Sequence, residues 1–411
     1  MYAKVSAKTF KKSVFLYICA TPFLGSYSNS FIVYLSIILL LGYNLLEYYK
    51  GTVLPKAPFL FFIWCIIVTT FMDLIVVDAY STSINRAIAF VLYVITVITL
   101  SKDKDVHLFL KFYVVFAHMA LAFFIVQVLF YYILHMAIMF QIPFLALNEN
   151  LNSAYNYLNT ARTIGVLFPR FPGPFSEPSI YADYLAPLLL LYLYGTKDIK
   201  KNSVVAGIIV VTLFLSTSGV GIIMACVSVG LYIWLKNSKD RKKALWIPVL
   251  ALILFTGVLV VYASSGRIRE TINTLFVPGT GDQNSKADYR IYRGIYYFLS
   301  LPVIYKVTGI GLFNAEKFAL QNNLVNPYDA DTSSYEYFNG ISQTFIYTGI
   351  IGTIIFCLFL MKIVPKKSMI EKAFFVLYLM LIVGTSYLFT EMAVIYLALA
   401  YIVRQEGDEK T

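Results

Sequence analysis

The chain has 411 residues, of which 59% are hydrophobic, 17% aromatic and 13% charged, with a mean hydropathy of +0.73. A soluble globular domain carries roughly 45–50% apolar and about 25% charged residues, so the charge needed to cover a water-facing surface of this length is missing. Soluble enzyme, DNA-binding protein and disordered scaffold are poor readings, and an all-α polytopic membrane protein is expected. The net charge of +11 does not point to nucleic acid, because of where the charge sits. Lys4, Lys8, Lys11 and Lys12, then Lys197, Lys200 and Lys201, then Lys236, Lys239, Arg241, Lys242 and Lys243, and finally Lys362, Lys366 and Lys367 form short clusters between apolar runs. Cytoplasmic loops obeying the positive-inside rule have this pattern. Cys19, Cys65, Cys226 and Cys357 all lie inside apolar runs, which leaves no loop disulfide.

A helix crosses the hydrocarbon core in about 17–25 apolar residues. The first candidate span, 13–27, follows a basic stretch without a small-residue cleavage site and reads as a retained span rather than a signal peptide. Spans 30–46, 57–77, 84–100 and 106–135 follow. Asp73 and Asp78 fall near the outer end of the third and are expected to snorkel to the interface. All three histidines (His107, His118, His135) are assigned to the fifth span. His107 and His118 share a helical face, and for His118 a structural hydrogen bond to a neighbouring helix is expected.

Next come 179–195 and the run 203–235, which is too long for one upright helix and carries Ser216-Thr217-Ser218-Gly219 at its middle. Only two crossings, 203–217 and 219–235, keep every basic cluster on the side of the N-terminus. Trp234 and Trp246 flank the most basic loop as belt anchors. Spans 244–263, 341–361, 368–386 and 387–403 bring the total to about twelve, with both termini cytoplasmic. In lipid the backbone must satisfy itself, so the spans are helices, and the alternating segments of an outer-membrane barrel are absent.

This topology leaves two long segments on the far face, 141–178 and 264–340. Loops beyond about 12–15 residues are uncommon unless functional, so the activity is expected on the extracytoplasmic side. Within the second, Ile291 to Tyr305 (IYRGIYYFLSLPVIY) is aromatic and aliphatic with Arg290, Arg293 and Lys306 around it. It reads either as an interfacial helix at the headgroup level or as a loop helix packed on the bundle.

The first long segment ends Arg170-Phe171-Pro172-Gly173-Pro174-Phe175-Ser176-Glu177-Pro178-Ser179 and then enters a span. This resembles the Arg-x-x-Gly…Glu-Pro-Ser/Asn segment of the O-antigen polymerase and ligase superfamily. Arg290, an aromatic stretch, Pro302 and Gly309-Ile310-Gly311 are similar to that superfamily's second-loop segment. Polymerases of the Wzy type carry an arginine, a fixed gap and a glycine in each large loop. Here Arg162 precedes Gly173 by ten intervening residues and Arg293 precedes Gly309 by fifteen. Ligases end the second loop with His, then Asn/Ser/Gln, nine residues and Gly-x-x-Gly. This chain has Phe338, Asn339, nine residues and Gly349-Ile350-Ile351-Gly352. The frame is present and its histidine is not, which favours polymerase over ligase.

The resemblance implies a GT-C-like glycosyltransferase with two large periplasmic loops in the bacterial inner membrane. It would transfer a glycan from undecaprenyl pyrophosphate to a second lipid-linked repeat unit. The leaving pyrophosphate gains charge, and arginine meets it with bidentate hydrogen bonds while staying charged. Arg170, Arg290 and Arg293 are therefore the expected clamp. Arg162 is a weaker fourth member, and Gly173, Gly309 and Asn339 are assigned to substrate binding. Arg267 and Arg269, also in the second loop, are not singled out. A carboxylate would deprotonate the acceptor hydroxyl: Glu177 first, with Asp329, Asp331 and Glu336 as alternatives. Each has a structural alternative, which for Glu177 is a carboxylate at a helix N-terminus. Asp329-Ala330-Asp331 spells a metal-dependent Asp-x-Asp, but no metal or other cofactor is expected. The expected partners are the lipid-linked oligosaccharide, membrane lipid and a separate chain-length regulator, without nucleic acid. A lipid-linked oligosaccharide flippase or proton-coupled carrier is the alternative from another class. It would show internal repeats and broken helices in matching halves, and no convincing repeat is present.

Overall fold

The computed structural model describes residues 2–25, 27, 30–49, 56–76, 87–92, 95–96, 106–142, 145–147, 149–196, 198–237, 286–324, 338–363, 368–386 and 388–408. Span 244–263, most of 84–100, Asp78, Trp246, Arg267, Arg269, Asp329, Asp331, Glu336 and the side chain of Arg290 lie outside the described residues. The helices are α1 (Tyr2–Leu24), α2 (Ser30–Tyr49), α3 (Lys56–Phe71, continued by a π-helical turn Met72–Val76), α4 (Val106–Ile133), α5 (Glu149–Thr163), α6 (Pro178–Tyr194) and α7 (Ser203–Leu215). They continue with α8 (Gly219–Asn237), α9 (Lys286–Ser300), α10 (Val303–Thr308), α11 (Ala315–Gln321), α12 (Gly340–Ile363), α13 (Met369–Gly384) and α14 (Glu391–Asp408). Among the described residues there is no strand, only an isolated bridge between Tyr27 and Leu147.

Among the described residues, His107–Ile133 of α4 and Gly340–Met361 of α12 are long and apolar enough to cross a membrane, and five further apolar helices are shorter. The outside of the bundle carries many apolar side chains. Ile38, Leu45, Ile67, Leu74, Ile133, Val204, Val211, Ile354 and Met361 are all exposed. A soluble monomer rarely carries contiguous apolar patches above a few hundred Å², whereas lipid is a good solvent for such a surface. The fold is that of an all-α membrane protein.

Cross-helix contacts fix the relative directions. Tyr17 of α1 shares a hydrogen bond with Ser36 of α2 (2.7 Å), and Phe15 meets Tyr43, so these two helices are antiparallel. Phe15 meets Phe109 and Phe23 meets Phe116, which makes α1 and α4 parallel. His107 of α4 pairs with Asp198 at 2.9 Å at one end, while Gln127 reaches Gly173 at the other; α4 and α6 are antiparallel. The Asn202 N–H returns to the Tyr192 carbonyl as α6 passes into α7. Gly221 of α8 lies against Ala182, and Tyr232 lies against Tyr194 and under the Lys201 ammonium. Helix α8 is thus parallel to α6, and the chain must reverse between α7 and α8. It does so at Ser216–Ser218, all buried, with Thr217 at φ 52° and Ser216 Oγ donating to the Leu213 carbonyl. The Ser-Thr-Ser-Gly stretch is the turn that the sequence places there.

Helix α5 falls inside the first long segment. It is mostly polar, with Leu158 and Ala161 buried on one side.

Candidate functional site

The Pro-Gly-Pro segment before α6 is not a loop in solvent. Residues 171–176 are buried, with Phe175 against Phe23 at 4.8 Å and Tyr184 at 5.4 Å. One amide side chain ties this stretch to the chain leaving α4. Gln127 of α4, itself buried, accepts from the Gly173 N–H (3.0 Å) and donates to the Ile138 carbonyl (3.0 Å). Gly173 has φ 63°. Arg170, half-buried, stands where this buried stretch begins. Glu177 is the N-cap of α6, with extended backbone and proline following it. Its Oε2 accepts from Ser179 Oγ at 2.9 Å. The carboxylate therefore sits beside the positive end of a helix dipole, at the same end of the bundle as Arg170.

Arg162 is placed elsewhere. It is exposed, and its Nη1 donates to the carbonyl of His135 at 2.7 Å. His135 corrects an expectation. Helix α4 ends at Ile133, and His135 lies beyond it at φ 51°, exposed. The Leu134 and Met136 N–H groups both return to the Phe130 carbonyl. His135 thus stands outside the helix, between its end at Ile133 and the first long segment. His118 behaves as expected of a structural histidine, bonded to Tyr192 (2.9 Å) and to the Val114 carbonyl.

The second long segment returns to the bundle through α9. Arg293 is 0% exposed and is among the largest wholly buried side chains. Gly294 packs on Ser342 of α12, and the Tyr297 ring meets Phe338 in a tilted contact at 5.2 Å. The opposite face leaves Ile295 and Leu299 exposed, as are Val303 and Ile304 of α10. The packed-helix reading of 291–305 describes one face, and the other face is apolar and uncovered.

Beyond α10, Gly309 and Gly311 adopt φ 85° and 80°, and the segment lies against a break in α12. Gly349 inside that helix has φ 66° and ψ −172°, so the carbonyls preceding it lose their helical donors. Three are satisfied from outside: Ile310 N–H reaches the Ile346 carbonyl, Gly311 N–H the Tyr347 carbonyl, both at 3.0 Å, and Trp64 Nε1 the Thr348 carbonyl at 2.9 Å. A Cβ on Gly309 would strike the Tyr347 carbonyl oxygen. Gly309 thus has a packing reason of its own. Asn339 does too, since its Oδ1 accepts from the Ser342 N–H (2.8 Å) and so caps α12.

The segment is also pinned to α3. The Leu312 N–H donates to Thr69 Oγ1 at 2.9 Å, and Asn314 Nδ2 donates to Asp73 Oδ1 at 2.7 Å. Asp73 is 3% exposed. This overturns the snorkelling expectation: the carboxylate turns inward because an amide donor from the far side of the sequence meets it there.

The two segments converge on one end of the bundle. From Gly294 the path crosses to Ser342 on α12, then from the Gly340 N–H to the Thr385 carbonyl after α13. It continues from Gly384 to Val220 of α8 and from Gly221 to Ala182 of α6. Arg170, Glu177, Arg293 and Asn339 belong to this end, whereas Arg162 pairs with backbone beside the end of α4. Sequence reasoning missed Gln127, Thr69 and Asn314, whose polarity inside or beside apolar runs was the available signal.

The fold and its polar end define a class first: an all-α membrane protein with arginine-bearing segments packed over one end of its helices. Residues 204–357 match the O-antigen ligase family, a match consistent with the O-antigen polymerase and ligase superfamily, a group of integral membrane, glycosyl-transferring enzymes. The matched stretch holds Arg290, Arg293, Gly309, Phe338 and Asn339 but not Arg162, Arg170, Gly173 or Glu177. No curated protein and no solved structure matches the chain.

Proposed function

We propose that the chain is an O-antigen or related surface-polysaccharide polymerase. It moves a growing glycan from undecaprenyl pyrophosphate to a hydroxyl of a new lipid-linked repeat unit. In this reading about twelve spans cross the bacterial inner membrane with both termini inside, and the polar end faces the periplasm. As the glycosidic bond breaks, the pyrophosphate takes the electron pair and its charge grows. Arg170, Arg290 and Arg293 stabilise that charge, the kind of preorganised donation that usually supplies the largest catalytic contribution. Glu177, oriented by Ser179, takes the acceptor proton. Arg293 is enclosed, so a pyrophosphate reaches it only once the elements over it part. A separate protein limiting chain length is part of the same proposal.

The observation that carries polymerase over ligase is Phe338. It occupies the position of the ligase histidine, and it is buried with its ring on Tyr297, so that position serves packing. His135 is the imidazole that a ligase reading would have to use instead.

The test is a gel of surface glycan from the host strain lacking the gene, complemented with wild type, Arg170→Ala or Arg290→Ala. A lost ladder with core plus one repeat unit retained, restored by wild type and not by the arginine variants, is the expected result. Bare core without any repeat unit would overturn the polymerase reading. The leaflet on which intermediates accumulate would then separate ligase from flippase.

A further inference from the structure

We propose that Asp73 is a positioning residue for the arginine-bearing helix α9, acting through Asn314. The inference rests on the transfer reaction proposed above only for its kinetic readout. Its path is continuous in the structure. Asp73 Oδ1 accepts from Asn314 Nδ2 at 2.7 Å, and the same amide donates to the Ile310 carbonyl at 3.2 Å. Asn314 immediately precedes α11, and the next carbonyl, that of Ala315, accepts from Tyr297 Oη of α9 at 2.6 Å. Arg293 stands one turn before Tyr297 on the same helical face. Asp73 and Asn314 are both buried, at 3% and 0% exposure, and so are Tyr297 and Arg293.

Two features set this pair apart from ordinary packing. The carboxylate is carried on a π-helical turn, Met72–Val76, and such turns are rare and frequent at functional sites. The turn follows the last residues of α3, among them Thr69, whose hydroxyl holds Leu312. One end of α3 thus grips the 310–314 segment at two points, and that segment in turn holds α9. A buried carboxylate is costly to keep in a membrane protein, and an apolar residue would fill the space without that cost. What the carboxylate adds is a fixed acceptor that leaves the Asn314 amide one orientation.

Arginine donors aimed at the charge that grows on the pyrophosphate in the transition state act on turnover more than on binding, and a displacement of about 1 Å can cost about 100-fold. With purified full-length protein and a lipid-linked repeat unit as donor, Asp73→Ala and Asn314→Ala are expected to lower kcat about 10- to 100-fold per folded protein. Donor KM should stay within about 3-fold. The double variant should be no worse than either single one, because both remove the same path. Asp73→Asn keeps an acceptor for the Asn314 amide and should recover most of the turnover.

An Asp73→Asn protein as inactive as Asp73→Ala would overturn the proposal, since the charge itself would then be required. Losses that multiply in the double variant, or that only follow the amount of folded protein, would overturn it too. Hydrogen exchange of residues 293–300 supplies a readout independent of the reaction, with faster exchange expected in Asp73→Ala or, if that variant does not fold, in Asn314→Ser. If wild type transfers nothing, it is the functional reading that fails. In that case unchanged exchange in α9 refutes the positioning role and faster exchange sustains it.

Discussion

Replacing Gly349 by alanine tests the broken helix directly. At φ 66° and ψ −172° the residue occupies a region open essentially to glycine alone, where another residue costs on the order of 1–3 kcal/mol. An added Cβ would also meet the Val307 carbonyl oxygen, and it would lie 2.5 Å from the Gly309 nitrogen. That neighbour is backbone and cannot swing aside. The protein's other option is to let α12 straighten. The Ile310 and Gly311 N–H groups would then lose the carbonyls they now hold, at about 1–3 kcal/mol for each buried donor left unmade. Either route destabilises by about 2–5 kcal/mol. Gly207 is the control: it is helical and exposed, and nothing lies within 4 Å of its would-be Cβ. Alanine there should be neutral or stabilise by about 0.5–1 kcal/mol. Thermal unfolding of the detergent-purified proteins, read by fluorescence-detected gel filtration, compares the three. A Gly349→Ala protein that melts with wild type would refute the account of the break.

Gln127→Leu should destabilise by about 2–4 kcal/mol, because it strands the Gly173 N–H and the Ile138 carbonyl together. Limited proteolysis within 136–170 should accelerate, and a resistant variant would show that the first long segment is held by other contacts. Phe338→His removes an aromatic contact worth about 0.5–1.5 kcal/mol beyond its area and buries an imidazole behind Tyr297. It should lower thermal stability without conferring transfer of glycan onto lipid A core, and a gain of that transfer would sink the polymerase reading.

Elements whose signal is local were legible in the chain. The reversal between α7 and α8 needed only a short polar stretch in an apolar run and the side on which lysines fall. The proline and Glu177 at the start of α6 likewise mark a helix N-terminus in sequence as in space. What escaped depended on distance. Asp73 looks like a snorkelling carboxylate until Asn314, 241 residues away in sequence, supplies its donor. Gly349-x-x-Gly352 reads as a frame for a motif, yet the break at Gly349 is possible because Ile310, Gly311 and Trp64 arrive from other parts of the chain. Helix α5 was hidden by its own polarity, since so few apolar positions are a weak periodic signal. His135 fell on the wrong side of a boundary by two residues, the usual margin at a helix end.

The break in α12 also constrains how the protein is made. A helix interrupted in lipid exposes carbonyls that hydrocarbon cannot solvate, and the donors that cover them belong to earlier parts of the chain, in α3 and in the segment around Gly309. When α12 leaves the translocation machinery, those donors have already been synthesised. Insertion in chain order therefore gives the interrupted helix its partners on arrival, whereas a circularly permuted gene that places α12 first would deliver it to the bilayer before they exist.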